Sequence, residues 1–209
     1  VNRGGTRLNN QEMRNALYQG NATVLINRLA KMKVFIDATE DTIPANHMKD
    51  RYLVLRFVAF YMWQKGITKD VDTNEVLEYR SNLEDFLGKT MRFLNRLDSE
   101  NDLFKELEFR FAKAMELASQ LIPLGGFRLP SSPGKKRPIN MAFFESFSYL
   151  LSNLTGDKEL LNGKIKQAYM QLMHESQYLD TLTHSVDSGT QTDERYKIIN
   201  QYISELNLC

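Results

Sequence analysis

The pattern of apolar and polar positions along this chain has its clearest feature in one short stretch. Every residue from Leu53 to Trp63 is apolar except Arg56, and charged side chains flank the stretch, with Lys49 before it and Lys65 after it. A segment that is apolar around its whole circumference is typical of a helix buried on nearly all sides. We therefore predict a central helix over about residues 45–65, with the rest of the chain packed around it.

Helical periodicity, with apolar residues three and four positions apart, recurs on both sides of this central helix. Asn9 and Glu12 have the spacing of a capping box, Gly20 supplies a stop signal, and Asp72 with Glu75 repeats the start signal. The further helices are predicted over about 9–20, 22–36, 72–97, 99–122, 140–154, 158–182 and 192–206. No segment shows the two-residue alternation of a strand. The fold class predicted is all-α, an irregular bundle of about eight helices.

The length of 209 residues suits a single domain with a sizeable core. We predict that residues 1–155 form the main helical region and that residues 156–209 form a helical extension packed on the same domain. The one cysteine is the last residue, Cys209, which rules out an internal disulfide and is typical of the reducing cytosol. The central apolar stretch is about half the roughly 20 residues of a membrane span. The expected location is cytoplasmic, without a membrane partner.

Charge is unevenly distributed although the net charge is only +1. Residues 1–35 are basic, with Glu12 as their one acid, and residues 123–140 are basic with no acid. The second segment also holds four of the five prolines, and long irregular loops of this kind are often functional. Candidate contacts to DNA phosphates are Arg3, Arg7, Arg14, Arg128, Lys135, Lys136 and Arg137. The alternative interpretation is a set of solvated surface charges.

No catalytic or metal-binding motif stands out in the sequence. The three histidines lack a second ligand at helical spacing, and the two glycine pairs lack the spacing and the lysine of a phosphate-binding loop. We therefore expect no cofactor, no metal ion and no autonomous active site within these residues.

Two charged residues are assigned structural roles. The capping box explains Glu12 without a functional carboxylate. Arg56 lies inside the apolar stretch, where a buried guanidinium requires an acidic partner. We expect Glu12 or Asp85 to be that partner.

The opening stretch NRGGTRLNNQEMRNALYQG resembles a signature of a large bacterial and archaeal family of uncharacterised ParB/sulfiredoxin-like proteins. This family includes GmrS, one half of GmrSD-type modification-dependent restriction systems, and related phage-defence proteins. Three further blocks are similar to family blocks in the same order and extend the resemblance over roughly residues 1–155: MKDRYLVLRFVAFYM, SNLEDFLGKTMRFLN and LGGFRLPSSPGKKRPINMAFFESFSYLL. The signature positions are Arg3, Gly4, Gly5, Leu8, Asn9, Gln11, Glu12, Arg14 and Asn15.

This resemblance implies that catalysis and the helical scaffold lie in different halves of the full protein. Family members carry a mixed α/β half before the signature, with an Asp-Gly-Gln-Gln-Arg type motif linked to nucleotide hydrolysis or nuclease action. The present sequence lacks that motif, so the resemblance implies the helical C-terminal portion alone and assigns no catalytic residue to it. Val1 is then expected to be a cut edge of a longer protein.

Two functions of different classes are predicted. In the first, the chain is a non-catalytic helical scaffold of a GmrS-like prokaryotic defence protein, which supports the absent N-terminal nucleotidase or nuclease half and faces DNA with its basic segments. In the second, the chain is a protein-interaction or oligomerisation module that docks a partner subunit or a second copy without touching DNA.

Overall fold

The computed structural model describes residues 10–43, 48–132, 134–156 and 158–207. Within these ranges the secondary structure is helical, and the one β-type pairing is an isolated bridge between Lys69 and Val76. The prediction of an all-α fold is confirmed.

Ten α-helices lie within the described ranges, and a short 3-10 turn, Ile122–Leu124, follows the sixth of them. They are α1 (Asn10–Leu17), α2 (Asn21–Ala30), α3 (Lys33–Ala38), α4 (Lys49–Gln64), α5 (Leu83–Arg96), α6 (Asp102–Ser119), α7 (Met141–Asn153), α8 (Lys158–Leu172), α9 (Ser176–Thr183) and α10 (Gly189–Asn207).

The predicted central helix is α4, and it is buried as expected. Every residue from Leu53 to Met62 is buried, and Trp63 at its end packs against the core. Its closest large neighbour is α7, which is buried from Ala142 to Ser152 and also packs on α6 and α10. Helix α2 covers α4, α5 and α6, while α3 packs on α6. Two helices that are buried around most of their circumference therefore form the centre of the bundle.

Aromatic side chains connect α4 to the helices around it. The ring of Phe57 lies 5.2 Å from that of Phe111 on α6. The ring of Phe60 lies 5.1 Å from Phe86 on α5 and 5.5 Å from Tyr196 on α10. Full burial of each such side chain stabilises the fold by about 1.5–3 kcal/mol.

Two predicted helices are divided in the structure. The helix predicted over 22–36 breaks into α2 and α3 because Met32 is extended, with φ −63° and ψ 131°. The helix predicted over 158–182 breaks into α8 and α9 because Glu175 is extended, with φ −82° and ψ 104°. These two breaks account for the difference between eight predicted helices and the ten described. The last helix begins at Gly189, slightly earlier than predicted.

The start signal predicted at Asp72 was wrong. Residues 73–82 are not helical, and the Asp72 carboxylate instead accepts two hydrogen bonds of 2.7 Å from the guanidinium of Arg92. Helix α5 begins at Leu83, where Asn82 is the cap and accepts from the backbone N–H of Asp85 at 3.1 Å. The pairing of Asp72 with Arg92, 20 positions away, could not be predicted from the local pattern of apolar and polar residues.

Candidate anion-binding site

The proline-rich segment 125–140 joins the end of the α6 region to α7. It opens at Gly125 and Gly126, whose φ angles of 115° and 59° lie in the left-handed region that glycine adopts without strain. It closes where the backbone N–H of Asn140 donates to the carbonyl oxygen of Phe127 at 2.9 Å. The two ends of this loop therefore meet, and residues 130–132 and 134–138 between them are exposed.

Arg128, the first cation of this loop, is buried, with only 5% of its surface exposed. Its guanidinium donates to Glu40 Oε1 and to Thr42 Oγ1, both at 2.7 Å. These hydrogen bonds hold the loop against the chain that follows α3. The structure therefore gives Arg128 a structural role in place of the exposed phosphate contact that we expected.

The other three cations of the loop, Lys135, Lys136 and Arg137, are exposed. Lys136 pairs with the second oxygen of Glu40. That hydrogen bond lowers the pKa of Glu40 below its ordinary value, against the opposing effect of burial, with a further contribution from Arg128. Glu40 is therefore an ionised carboxylate shared between two cations of the loop.

Lys49, the exposed first residue of α4, lies on the same side of the molecule. Within the described ranges, no carboxylate is within ion-pair distance of either Lys49 or Arg137. We call Lys49, Lys135, Lys136 and Arg137 the basic surface. Like charges held together with few neutralising partners, here Glu40 at Lys136, raise the local potential and favour anions.

A cavity of about 430 Å³ opens at the basic surface. Its cationic lining comprises Lys49, Arg128, Lys136 and Arg137, and its apolar lining comprises Ile43, Leu53, Pro138, Ile139 and Met141, with Thr42 between the two sets. No acidic residue of the described ranges lines it. The loop that sequence composition singled out thus forms one wall of a cavity, and Lys49, which the sequence analysis did not select, belongs to the same site.

Of the predicted cations of the amino-terminal segment, the structure describes Arg14, which is buried and does not line the cavity. Arg3 and Arg7 lie outside the described residues. Arg14 is buried, pairs with Glu84, and places its guanidinium carbon 5.2 Å from the centre of the Tyr52 ring. Arg14 is therefore a packing residue between α1 and its neighbours, and the expectation that it contacts phosphate is corrected.

Much of the family signature also falls outside the described residues. Gly4, Gly5, Leu8 and Asn9 do so entirely, as do the side chains of Gln11 and Asn15. The predicted capping box falls partly outside the described residues, since its cap residue, Asn9, is one of these. Glu12 is partly buried in α1.

A second polar cluster, which the sequence analysis missed, lies in the core. Arg56 donates from Nε to Glu145 and from Nη2 to Asp187, the latter at 2.9 Å. The expected partners, Glu12 and Asp85, were wrong. Arg195 of α10, with no exposed surface, donates to the other oxygen of Glu145 at 3.2 Å. One buried carboxylate therefore joins two buried guanidiniums.

Burial and charge pairing act in opposite directions in this cluster. Desolvation lowers the pKa of Arg56, but Glu145 and, to a smaller extent, Asp187 and Tyr52 together outweigh it and leave that pKa well above its ordinary value. Desolvation raises the pKa of the fully buried Glu145, although both guanidiniums oppose this effect. The hydrogen bonds from both guanidiniums to Glu145 tie α4, α7 and α10 together, and within the described residues the buried Nε of Arg195 has no partner.

A weak signal for this cluster was present in the sequence. Glu145 is the only charged residue between Met141 and Asn153, within a helix otherwise made of apolar, serine and asparagine side chains. A carboxylate in such surroundings requires a cationic partner for the same reason that Arg56 requires an anionic one. Pairing the two isolated charges would have identified the contact.

Comparisons with protein-family models, with curated proteins and with solved structures gave no match to this chain. Over the described ranges, no group of three or more His, Cys, Asp or Glu side chains is arranged to hold a metal ion. None of the helices described here combines the length and the apolar character needed to cross a bilayer.

Proposed function

We propose that this chain is the helical, non-catalytic portion of a GmrS-like prokaryotic defence protein and that its basic surface contacts the phosphates of DNA. The nucleotidase or nuclease half to which the family resemblance points would carry the chemistry. The observation that carries this proposal is the convergence of Lys49 with the loop cations, where Glu40 is the one neutralising carboxylate among the described residues.

The side chains of the basic surface favour contact with the phosphate backbone of DNA over recognition of its bases. Lysine and arginine side chains on an exposed loop neutralise phosphates and release counterions whatever the base sequence. The basic surface also lacks the amide side chains that read adenine in a groove. The expected binding is therefore independent of sequence and strongly dependent on salt.

The test is a salt titration of the affinity for a short fluorescent DNA duplex, followed by anisotropy between about 50 and 200 mM salt. Four phosphate contacts predict a slope of log K against log salt of about −3 to −4, since each contributes about −0.9. Replacing Lys135, Lys136 and Arg137 by alanine is expected to leave a slope of about −1.

A matched triple variant separates local contacts from net charge. Lys69, Lys105 and Lys197 are exposed lysines on other elements, and their replacement by alanine removes the same charge. This control should keep most of the wild-type slope. Equal losses in both triple variants, or a wild-type slope near zero, would contradict the proposed phosphate contacts. Circular dichroism checks that both variants keep the helical content.

The second candidate function, a protein-interaction module, has its own supporting observation. Large apolar side chains are exposed at Leu17 and Val24, by 74% and 54%, and at Phe109 by 64%. Such groups are candidates for contact with another protein or a second copy. Sedimentation velocity over a wide concentration range, with Leu17→Ser and Phe109→Ser as variants, tests self-association. A mass that stays monomeric throughout would contradict oligomerisation.

A further inference from the structure

The lining of the cavity at the basic surface is partly apolar, which a surface that binds only the phosphate backbone of DNA does not require. Its volume of about 430 Å³ lies within the range of roughly 300–1,000 Å³ that is usual for small-molecule sites. Leu53, Ile139 and Met141 supply apolar lining, and Lys49 and Arg137 supply cationic lining. A ligand that satisfied both parts would need an apolar body and an anionic group.

The amino-terminal end of α4 adds to the preference for an anion. The residue before the helix, Met48, has a left-handed backbone with φ 56° and supplies no side-chain cap. The first backbone N–H groups of a helix carry partial positive charge and attract anions, the more so beside a lysine. Lys49 is the first residue of this helix and lines the cavity. Asp50, in the same first turn, is not part of the lining.

One anion, the carboxylate of Glu40, already contacts part of the cationic lining. Its carboxylate bridges Arg128 and Lys136, two residues of the cavity lining. Glu40 and Asp41 both have positive φ, 56° and 50°, a conformation that costs energy for residues other than glycine. The chain is therefore held in an unfavourable backbone conformation at the point where Glu40 reaches the loop cations. A ligand anion would compete with Glu40 for Lys136.

We propose that this cavity binds a small organic phosphate, with its apolar body against Leu53, Ile139 and Met141 and its phosphate between Lys49 and Arg137. Lys136, released from Glu40, completes the phosphate site. A phosphate fits better than a carboxylate because its greater charge matches two cations of the cavity lining and a helix terminus. This proposal goes beyond DNA contact, since neither Lys135 nor a polynucleotide is needed for it.

The probe is 1-naphthyl phosphate, titrated into the full chain by isothermal calorimetry. Inorganic phosphate and 1-naphthol, titrated separately, represent its anionic group and its apolar body. We expect saturable one-to-one binding of 1-naphthyl phosphate, with at least about tenfold weaker binding of either part. Lys49→Ala and Arg137→Ala should each weaken binding about tenfold, as loss of a charge-assisted hydrogen bond implies. Lys105→Ala, in the first turn of α6, is the matched control and should leave the affinity for 1-naphthyl phosphate unchanged.

Two further variants distinguish a defined phosphate site from nonspecific attraction to the loop cations. Met141→Glu places a carboxylate in the cavity lining and should abolish binding. Glu40→Gln keeps a hydrogen-bond acceptor for Arg128 but frees Lys136, so it should tighten binding several-fold, whereas loss of a purely structural residue would weaken it.

The proposal is overturned if inorganic phosphate binds as well as the probe, if Lys105→Ala weakens binding equally, or if Glu40→Gln weakens it. Probe binding without salt-dependent DNA binding would keep this site and remove the DNA proposal.

Discussion

Replacement of Glu145 by glutamine is expected to lower the free energy of unfolding by about 3–5 kcal/mol. Glu145 is fully buried and accepts hydrogen bonds from both Arg56 and Arg195. Glutamine preserves the size of the side chain but removes its charge. Arg56 keeps Asp187, but Arg195 is left in the core with neutral oxygen partners only, so the cost of its desolvation is no longer offset.

Urea unfolding followed by circular dichroism measures this loss. Glu116→Gln is the matched control, because Glu116 is an exposed carboxylate of α6, and we expect its effect to stay within about 0.5 kcal/mol. A loss below about 1 kcal/mol for Glu145→Gln would show that the two buried arginines do not depend on this carboxylate.

Truncation of Phe60 to alanine is expected to lower the free energy of unfolding by a similar amount, about 3–5 kcal/mol. The Phe60 side chain has no exposed surface, and its ring contacts Tyr79, Phe86 and Tyr196 at centroid distances of 5.1–5.5 Å. The variant therefore leaves a cavity where α4, α5 and α10 meet, and the surrounding aromatic rings are too rigid to fill it.

The chain provides a matched control for this substitution as well. Phe109→Ala removes the same atoms from a side chain that is 64% exposed, and it should change the stability by no more than about 0.5 kcal/mol. Thermal and urea unfolding of both variants give the comparison. Similar losses at the two positions would mean that α4 is not the centre of the packing.

The sequence was most informative where one segment determines its own environment. The apolar stretch of α4 predicted burial on all sides, because no orientation could expose a polar face. The start predicted near residue 140 was equally local, because the Asn140 side chain caps α7 by accepting from the backbone N–H of Phe143 at 2.9 Å. Boundaries failed where extended backbone at Met32 or Glu175 interrupts a continuous apolar stripe, since the stripe itself passes through the break.

The candidate site was predicted only in part, for a related reason. Composition drew attention to the loop cations Lys136 and Arg137. It could not distinguish these exposed residues from the buried Arg128, whose partner Glu40 lies 88 positions away. Lys49 was missed because its importance comes from its position at the end of α4, beside a loop that is distant in sequence.

The proposal that DNA meets this chain at its basic surface is tested most directly by a ¹H–¹⁵N NMR titration with a short duplex. We predict that the largest amide shift changes fall on Lys49, on Lys135–Arg137 and on Ile139, and that they reverse when salt is raised. Changes centred on Leu17, Val24 and Phe109, or no changes at an excess of duplex, would contradict the proposal.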